Sequence, residues 1–286
     1  MALAIDDPDD PRIAAYRDVR ERDLVGREGL FVAEGEVVLR VMARSPLVEP
    51  VSVLLAEKRV AALVNVTDAL PASTPVYAAG QAVMDQIVGF PIHRGILALG
   101  RRREAPGAAE LLGRLPARAC VLVLCGVANH DNMGGLFRNA AAFGVDAVLL
   151  DADCCDPLYR KAIRVSVGAS LLVPFARIRR EEDVVGLLQA AGFETLALSP
   201  RGQVSLKDVE RPARVAVLLG AEGPGLPDAV MARCKTVSIP MAAGFDSLNV
   251  AVTAGIVLHA LNSRGTIGSG PLGPGGALDR LAGRGI

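Results

Sequence analysis

The sequence contains no tryptophan, and aromatic residues make up only 3% of its 286 positions. RNA-recognition modules of the common sheet type stack bases on aromatic side chains, so this scarcity argues against such a module. Any contact with nucleic acid would instead depend on arginine, main-chain and polar groups. The formal net charge is zero, so the overall charge neither supports nor excludes an RNA partner.

Long apolar runs are also lacking, although hydrophobic residues reach 51% and the mean hydropathy is +0.36. The richest runs, 120–124 and 215–219, have the length of a strand, far below the ~20 residues that cross a bilayer. We therefore expect no membrane span. The acidic N-terminal segment does not have the basic and apolar regions of a signal peptide, which favours a cytoplasmic protein.

Paired cysteine spacing is a third absence, because none of the five cysteines belongs to a CxxC motif. Zinc frameworks and disulfide scaffolds need such pairs, so we expect reduced, structural thiols. The histidines His93, His130 and His259 are too far apart in the sequence to indicate a metal site. The five cysteines are Cys120, Cys125, Cys154, Cys155 and Cys234.

The order of apolar and polar segments predicts two α/β regions joined by a linker. Residues 1–100 indicate a small α/β module, and 101–116 open with a basic run, contain two prolines and predict the linker. In residues 117–263, nearly continuous apolar strands alternate with helices, which is typical of a parallel sheet covered on both faces. Glycine and proline dominate 264–286, so we expect a flexible tail there.

Three loops of the second region follow predicted strands, where functional groups of open α/β sheets collect. The first loop, GVANHDNMGGLFRNAAAFG, is predicted to open a helix at Gly134 and Gly135 and to carry Arg138 one turn later. Main-chain N–H groups and a forked guanidinium at a helix start could hold an anion such as phosphate. The alternative is a glycine-rich turn with a solvated arginine. A dinucleotide fingerprint is excluded because GxGxxG is absent.

The second and third loops are LLGAEGPGL and VSIPMAAGFDSLNVA. In the second loop a buried strand ends in glycines around one carboxylate, Glu222, which could lie beside a ligand or simply be exposed on a tight turn. In the third loop Ser247 and Asn249 lie at the start of the last helix, and Ser247 could simply cap that helix. Capping by Ser247 leaves Asn249 without a partner, although a buried polar group needs one.

Together these loops resemble the SpoU (TrmH) family of RNA 2′-O-ribose methyltransferases of the SPOUT superfamily. The motifs NMGGLFRNA, GAEGPGL, and SIPM followed by SLNVA agree with the family in order and spacing, and VSVGAS at 165–170 is also similar. The resemblance covers residues 118–261. It implies an α/β fold with a parallel sheet and a C-terminal trefoil knot, S-adenosylmethionine as cofactor, structured rRNA or tRNA as substrate, and a homodimer.

The resemblance also implies which residues form the site. The catalytic positions would be Asn132, Arg138, Glu222, Ser247 and Asn249. The cofactor-binding positions would be Leu219, Gly220, Ile239, Met241 and Leu248. The family assigns the general-base role to the motif arginine, but arginine stays protonated at neutral pH, so orienting the ribose and its phosphate is the alternative role.

One departure from the family pattern lies just before the first motif. Asn129 and His130 stand where members commonly have Asp-Pro, so the turn there could differ. His130 could act as a base, since imidazole titrates near neutrality, but a loop histidine is more often only exposed.

The N-terminal module resembles the L30e-like RNA-binding domain that precedes the catalytic domain in many members. The segments FVAEGEVVLR and HRGILALG carry this likeness. Arg20, Arg22, Arg27 and the linker arginines 101–103 could contact the RNA backbone, or could be ordinary solvated charges. Two other functions were weighed: a catalytically silent RNA-binding or ribosome-assembly factor of the same fold, and a dehydrogenase, which the missing phosphate fingerprint disfavours.

Overall fold

The computed structural model divides into two compact units. The first unit contains residues 1–104 and 156–172, and the second contains 105–155 and 173–286. The structure describes residues 2–17, 29–88, 95–221, 223–242 and 247–263. The predicted positions that lie outside the described residues are Arg20, Arg22, Arg27, His93 and Glu222.

The first unit is built on a mixed sheet with the strand order β1-β4-β3-β5-β2 in its described part. The strands are β1 (Leu3–Ile5), β2 (Leu30–Glu34), β3 (Val48–Ala56), β4 (Val76–Ala79) and β5 (Ile96–Arg102). The α-helices are α1 (Glu36–Arg44), α2 (Glu57–Val60), α3 (Val64–Thr67), α4 (Gln81–Val88) and α7 (Arg160–Val165), and 3-10 helices span Pro11–Tyr16, Ala61–Leu63 and Ala169–Leu171. The buried Tyr16 hydroxyl contacts Ser52 Oγ at 2.7 Å and accepts from the Leu99 N–H at 3.2 Å, so the one polar group of this ring is satisfied inside the core.

The second unit is built on a sheet in which the described strands are all parallel, in the order β10-β12-β9-β11-β6-β7-β8. The strands are β6 (Ala119–Leu124), β7 (Ala147–Leu150), β8 (Phe175–Arg177), β9 (Glu194–Leu198), β10 (Val204–Ser205), β11 (Arg214–Leu219) and β12 (Lys235–Ser238). Every residue of β6 and of β7 is buried, as in strands that are covered on both faces. The predicted α/β class with a parallel sheet is confirmed.

The helices of this unit precede, connect and follow these parallel strands. They are α5 (Ala108–Gly113), α6 (His130–Ala142), α8 (Val184–Ala190), α9 (Asp228–Met231) and α10 (Val250–Ser263), with a 3-10 helix at Leu206–Asp208. No described helix is both long enough and apolar enough to span a bilayer. Since parallel strands all end at the same edge, the loops after β9, β11 and β12 are brought together there.

The segment 156–172 differs from its predicted place. The alternation of strands and helices predicts it in the second domain, whereas its contacts group it with the first unit, where α7 packs on β2. The helix predicted for YRKAIRVSVGAS is also shorter, because Val167 and Gly168 have left-handed φ angles of 55° and 83°. A side chain on Gly168 would meet Val41 at 3.1 Å. The functions assigned to the two domains stay predictions.

The predicted linker belongs to regular structure at both of its ends. Arg101 and Arg102 are the last residues of β5, and α5 forms a short helix in the second unit. Arg214 of β11 anchors the C-terminal end of the predicted linker. Its guanidinium donates to the carbonyls of Leu112, Leu115 and Pro116 at 3.0, 3.1 and 2.6 Å.

Candidate active site

A cavity of about 540 Å³ lies at the carboxyl edge of the parallel sheet. Its walls come from the ends of β9, β11 and β12, from the loops that follow them, and from the start of α10. This volume is within the ~300–1,000 Å³ range of small-molecule and cofactor sites. The described lining residues are Leu198, Ser199, Pro200, Leu219, Gly220, Ala221, Gly223, Gly225, Val237, Ile239, Met241, Ser247, Leu248, Asn249, Val250 and Thr253.

All five residues predicted to bind a cofactor line this cavity. They are Leu219, Gly220, Ile239, Met241 and Leu248. The structure thus brings together residues of two separate loops, those after β11 and β12, although their contact with a cofactor stays a prediction. Sequence reasoning missed Ser199 and Thr253, whose hydroxyl-bearing side chains are also in the lining. The available signals were the position of Ser199 just after β9 and of Thr253 one helical turn after Asn249.

The loop after β11 folds back tightly onto Gly220. A Cβ atom at this position would lie 2.2 Å from the carbonyl carbon of Gly225 and 2.4 Å from the nitrogen of Leu226. The Gly225 N–H donates to the Ala221 carbonyl at 3.0 Å, and Gly223 and Gly225 have φ angles of +89° and +71°. Only glycine fits all three positions without strain. The wall of the cavity is therefore main chain rather than side chain at this point.

Asn249 forms the cap of α10, so the alternative interpretation, in which Ser247 caps this helix, is wrong. The Asn249 Oδ1 accepts from the Ala251 N–H at 2.9 Å and from the Val252 N–H at 3.3 Å. A capping side chain sits directly before the first helical residue, which is Val250. Ser247 lies two residues before Asn249 in the sequence, and it is exposed in the cavity wall.

Asn249 also has a partner among the predicted site residues. Its Nδ2 donates to Oδ1 of Asn132 at 2.8 Å, which joins the start of α10 to the first turn of α6. Asn132 is buried, with 8% of its surface exposed. Because Oδ1 of Asn249 faces two N–H groups, its amide orientation is fixed, and it fixes that of Asn132 in turn.

The start of α6 differs from the prediction that Gly134 and Gly135 open the helix around an anion. The helix begins at His130, and the side chain of Asn129 caps it by accepting from the N–H groups of Asp131 and Asn132 at 2.8 and 3.2 Å. Asn129 is a favoured capping residue, which explains how the chain accommodates its departure from the family pattern.

The two glycines of α6 lie within the helix, and Gly135 serves close packing. A Cβ at Gly135 would lie 2.8 Å from the Cβ of Ala251, so α6 and α10 approach each other closely at this point. Glycine at this position allows the two helices to approach each other closely.

Arg138 lies on α6, on the same helix as Asn132, and its side chain is exposed. It is not among the residues that line the cavity. Within the described part of the chain, no hydrogen bond or ion pair engages its guanidinium. A charged fork left open to solvent on this helix is available to bind an anionic group. The structure therefore places Ser247 and Asn249 in the cavity wall and connects Asn132 to them through Asn249, whereas Arg138 is exposed on α6 and outside the described lining.

The cysteines of this unit are free thiols. Burial raises the pKa of Cys120 and of Cys125 to about 12, and it raises the pKa of Cys154 as well. A thiol with a raised pKa stays protonated at neutral pH and is a poor nucleophile. These three cysteines therefore act as packing residues, and nucleophilic catalysis by their sulfur atoms does not fit the site.

The sequence pattern of the SpoU rRNA Methylase family matches residues 119–259, which includes every element that lines the cavity. The chain is 39% identical over 262 residues to an uncharacterized tRNA/rRNA methyltransferase of Mycobacterium tuberculosis strain H37Rv, covering 88% of this chain and 89% of that relative. It is 32% identical over 184 residues to the 23S rRNA (guanosine-2′-O-)-methyltransferase RlmB of Salmonella typhi, covering 63% and 75%.

Solved structures show the same fold. A crystal structure of an AdoMet-bound rRNA methyltransferase from Sinorhizobium meliloti superposes with a TM-score of 0.78 at 22% identity, over 92% of this chain and 98% of that one. An RNA 2′-O ribose methyltransferase superposes with a TM-score of 0.73 at 25% identity, over 92% and 99%. The parallel sheet and its edge cavity thus define a methyltransferase fold. The chain belongs to the SpoU rRNA methylase family, as its motifs predict.

Proposed function

We propose that this protein transfers a methyl group from S-adenosylmethionine to a ribose 2′-hydroxyl in structured RNA, either ribosomal or transfer RNA. The observation that carries the proposal is the hydrogen bond between Asn132 and Asn249, which joins the first and third motifs at the cavity. The relative RlmB is named a 23S rRNA (guanosine-2′-O-)-methyltransferase, and this name supports ribose as the acceptor.

The cavity fits S-adenosylmethionine, which is the cofactor. Leu219, Ile239 and Leu248 offer apolar surface, and the folded loop at Gly220 presents main-chain groups that can bind polar atoms. Ser199 and Thr253 add hydroxyl groups. Few precisely placed polar groups in a mostly apolar cleft are typical of a cofactor site. When bound, S-adenosylmethionine supplies an electrophilic methyl group on its sulfonium ion.

The residues of this chain then position the acceptor. Asn132 and Ser247 are proposed to orient polar atoms of the ribose, and the hydrogen bond from Asn249 supports one orientation of the Asn132 amide. Arg138 binds the phosphate next to the target ribose through its fork of donors and orients the 2′-hydroxyl. Glu222, which lies outside the described residues, is proposed to complete this polar network.

The experiment that tests the reaction uses purified protein, methyl-labelled S-adenosylmethionine and unmodified transcripts of 23S rRNA and tRNA. After digestion of the RNA to nucleosides, mass spectrometry should find the label in 2′-O-methylated nucleosides. Label found only on bases would contradict the proposed acceptor. Binding of RNA and cofactor without any transfer would favour the alternative, a catalytically silent RNA-binding or ribosome-assembly factor.

We propose further that the protein is a homodimer that forms through α10. On this helix Val252 and Ile256 are 51% and 38% exposed and lie one turn apart, next to the exposed Leu248. An apolar stripe of this kind is stabilised by a partner surface, and a twofold dimer would bury it against itself. Light scattering at micromolar concentration should give twice the chain mass, and Val252→Lys should reduce it to the monomer. A monomeric wild-type protein would contradict the proposal.

Three further features are proposed from the family. The second unit is proposed to end in the trefoil knot of the SPOUT superfamily, and the first unit, a mixed sheet flanked by helices, to be an L30e-like RNA-binding domain. Arg101 and Arg103, which are exposed, are candidates for contact with the RNA backbone. A crystal structure with cofactor and RNA would test all three features. We place the reaction in the cytoplasm, which suits five free cysteines.

A further inference from the structure

Helices α6 and α10 pack side by side and run in the same direction. At their starts, Nδ2 of Asn249 donates to Asn132, and at their ends, Nδ2 of Asn262 donates to the carbonyl of Phe143 at 2.5 Å. The ring of Phe143 also meets that of His259 edge-on, with centroids 6.0 Å apart. The same two helices thus carry polar contacts at both ends, but only the first end faces the cavity.

A third amide links the helices near the cavity end. Nδ2 of Asn139, the neighbour of Arg138, donates to the carbonyl of Ala251 at 2.6 Å. Gly255 lies directly beside this side chain, since a Cβ there would be in van der Waals contact with Asn139 Nδ2 at 3.4 Å. Gly135, one turn earlier on α6, packs against Ala251 itself. The contact of Asn139 is therefore built into the closest approach of the two helices.

We propose that Asn139 is a positioning residue for methyl transfer, acting by fixing the register of α10 on α6. Ala251 is bound by Asn139 and its N–H is capped by Asn249, so one residue connects the amide of Asn139 to the cap. The cap in turn holds Asn132, and the adjoining Leu248 and Thr253 line the cavity. A slip of α10 along α6 would displace the cavity wall relative to Asn132.

This register matters because the two substrates would contact different helices. The cofactor cavity is walled by α10, whereas the phosphate ligand Arg138 is carried by α6. The inference rests on the proposed function, because that proposal assigns the cofactor to α10 and the RNA phosphate to α6. Misplacement of reacting groups by as little as 1 Å can cost about 100-fold in rate. Loss of the Asn139 contact should therefore lower kcat more than it weakens cofactor binding.

The test compares Asn139→Leu with Asn262→Leu. Each substitution removes an amide that donates to a main-chain carbonyl of the other helix, one near the cavity and one at the far end. We expect kcat to fall about 10- to 100-fold in Asn139→Leu, with the Kd for S-adenosylmethionine within about threefold of wild type. Asn262→Leu should lower the melting temperature similarly but leave kcat within about threefold. Equal kcat values in the two variants would overturn the inference.

Two additions keep this comparison decisive. If Asn139→Leu does not fold, Asn139→Asp removes the same donor at nearly unchanged size and is measured in the same way. If wild-type protein shows no methyl transfer, the proposed function is contradicted, but the register of α10 on α6 can still be tested. The measurement is then amide hydrogen exchange of residues 247–252. Exchange there should be faster in the Asn139 variant than in Asn262→Leu, and equal exchange in both would refute a positioning role.

Discussion

Replacing Arg138 with alanine should lower kcat for RNA methylation by at least about 10³-fold, to the point where transfer to bulk RNA is not detected. The side chain is exposed on α6 and no described residue engages it, so its removal should leave the fold and the cavity intact. Calorimetry should therefore give an unchanged Kd for S-adenosylmethionine. Retained turnover in this variant would remove Arg138 from the chemistry.

Two further variants show whether the effect is specific to this position. Arg138→Lys keeps the charge but loses the planar fork, so it should remain strongly impaired if phosphate is bound through paired donors. Arg118→Ala removes another exposed arginine of the same unit, placed directly before β6 and thus at the opposite edge of the sheet. Its activity should equal that of wild type, and a comparable loss would indicate a general effect of basic charge on RNA affinity.

Replacing Gly220 with alanine should abolish cofactor binding, weakening it at least about 100-fold. The new Cβ would collide with main-chain atoms of Gly225 and Leu226, which have no flexible end that could move aside. Forcing extra volume into a tightly packed site typically costs about 1–3 kcal/mol, so the melting temperature should fall as well. Calorimetry with S-adenosylmethionine and thermal unfolding measure the two effects.

The matched control is Gly113→Ala at the end of α5. No atom lies within 4 Å of a Cβ at this position, so the change should be neutral or slightly stabilising, by up to about 1 kcal/mol. If Gly220→Ala binds the cofactor with wild-type affinity, the loop after β11 does not form the cofactor wall.

The sequence predicted the strands and the lining of the cavity well because both follow from simple regularities. Apolar runs such as that of β6 mark buried parallel strands, and parallel strands bring the loops at their ends together. Gly220 follows β11, whereas Ile239 and Leu248 follow β12, and these predicted positions meet at one cavity for this reason.

Helix starts were predicted less well, because neighbouring residues compete for them. Asn129 and Gly134 are both plausible at the start of α6, and Ser247 and Asn249 at the start of α10. In each case the asparagine directly before the helix forms the cap, because its side chain accepts from the first N–H groups of the helix. The packing of Gly135 on Ala251 depends on contacts between distant segments, which no local pattern contains. The same holds for the placement of 156–172 with the first unit.

The hydrogen bond between Asn132 and Asn249 has a consequence for how the protein folds during its synthesis on the ribosome. It joins residues 117 positions apart, so the first motif emerges long before its partner. Pairings between such distant segments form late, because the entropy of closing the intervening chain must be overcome first. A nascent chain can thus assemble β6, β7 and α6 while it has no site at all. The cavity itself is complete only when α10 docks, because the start of this helix forms part of its wall.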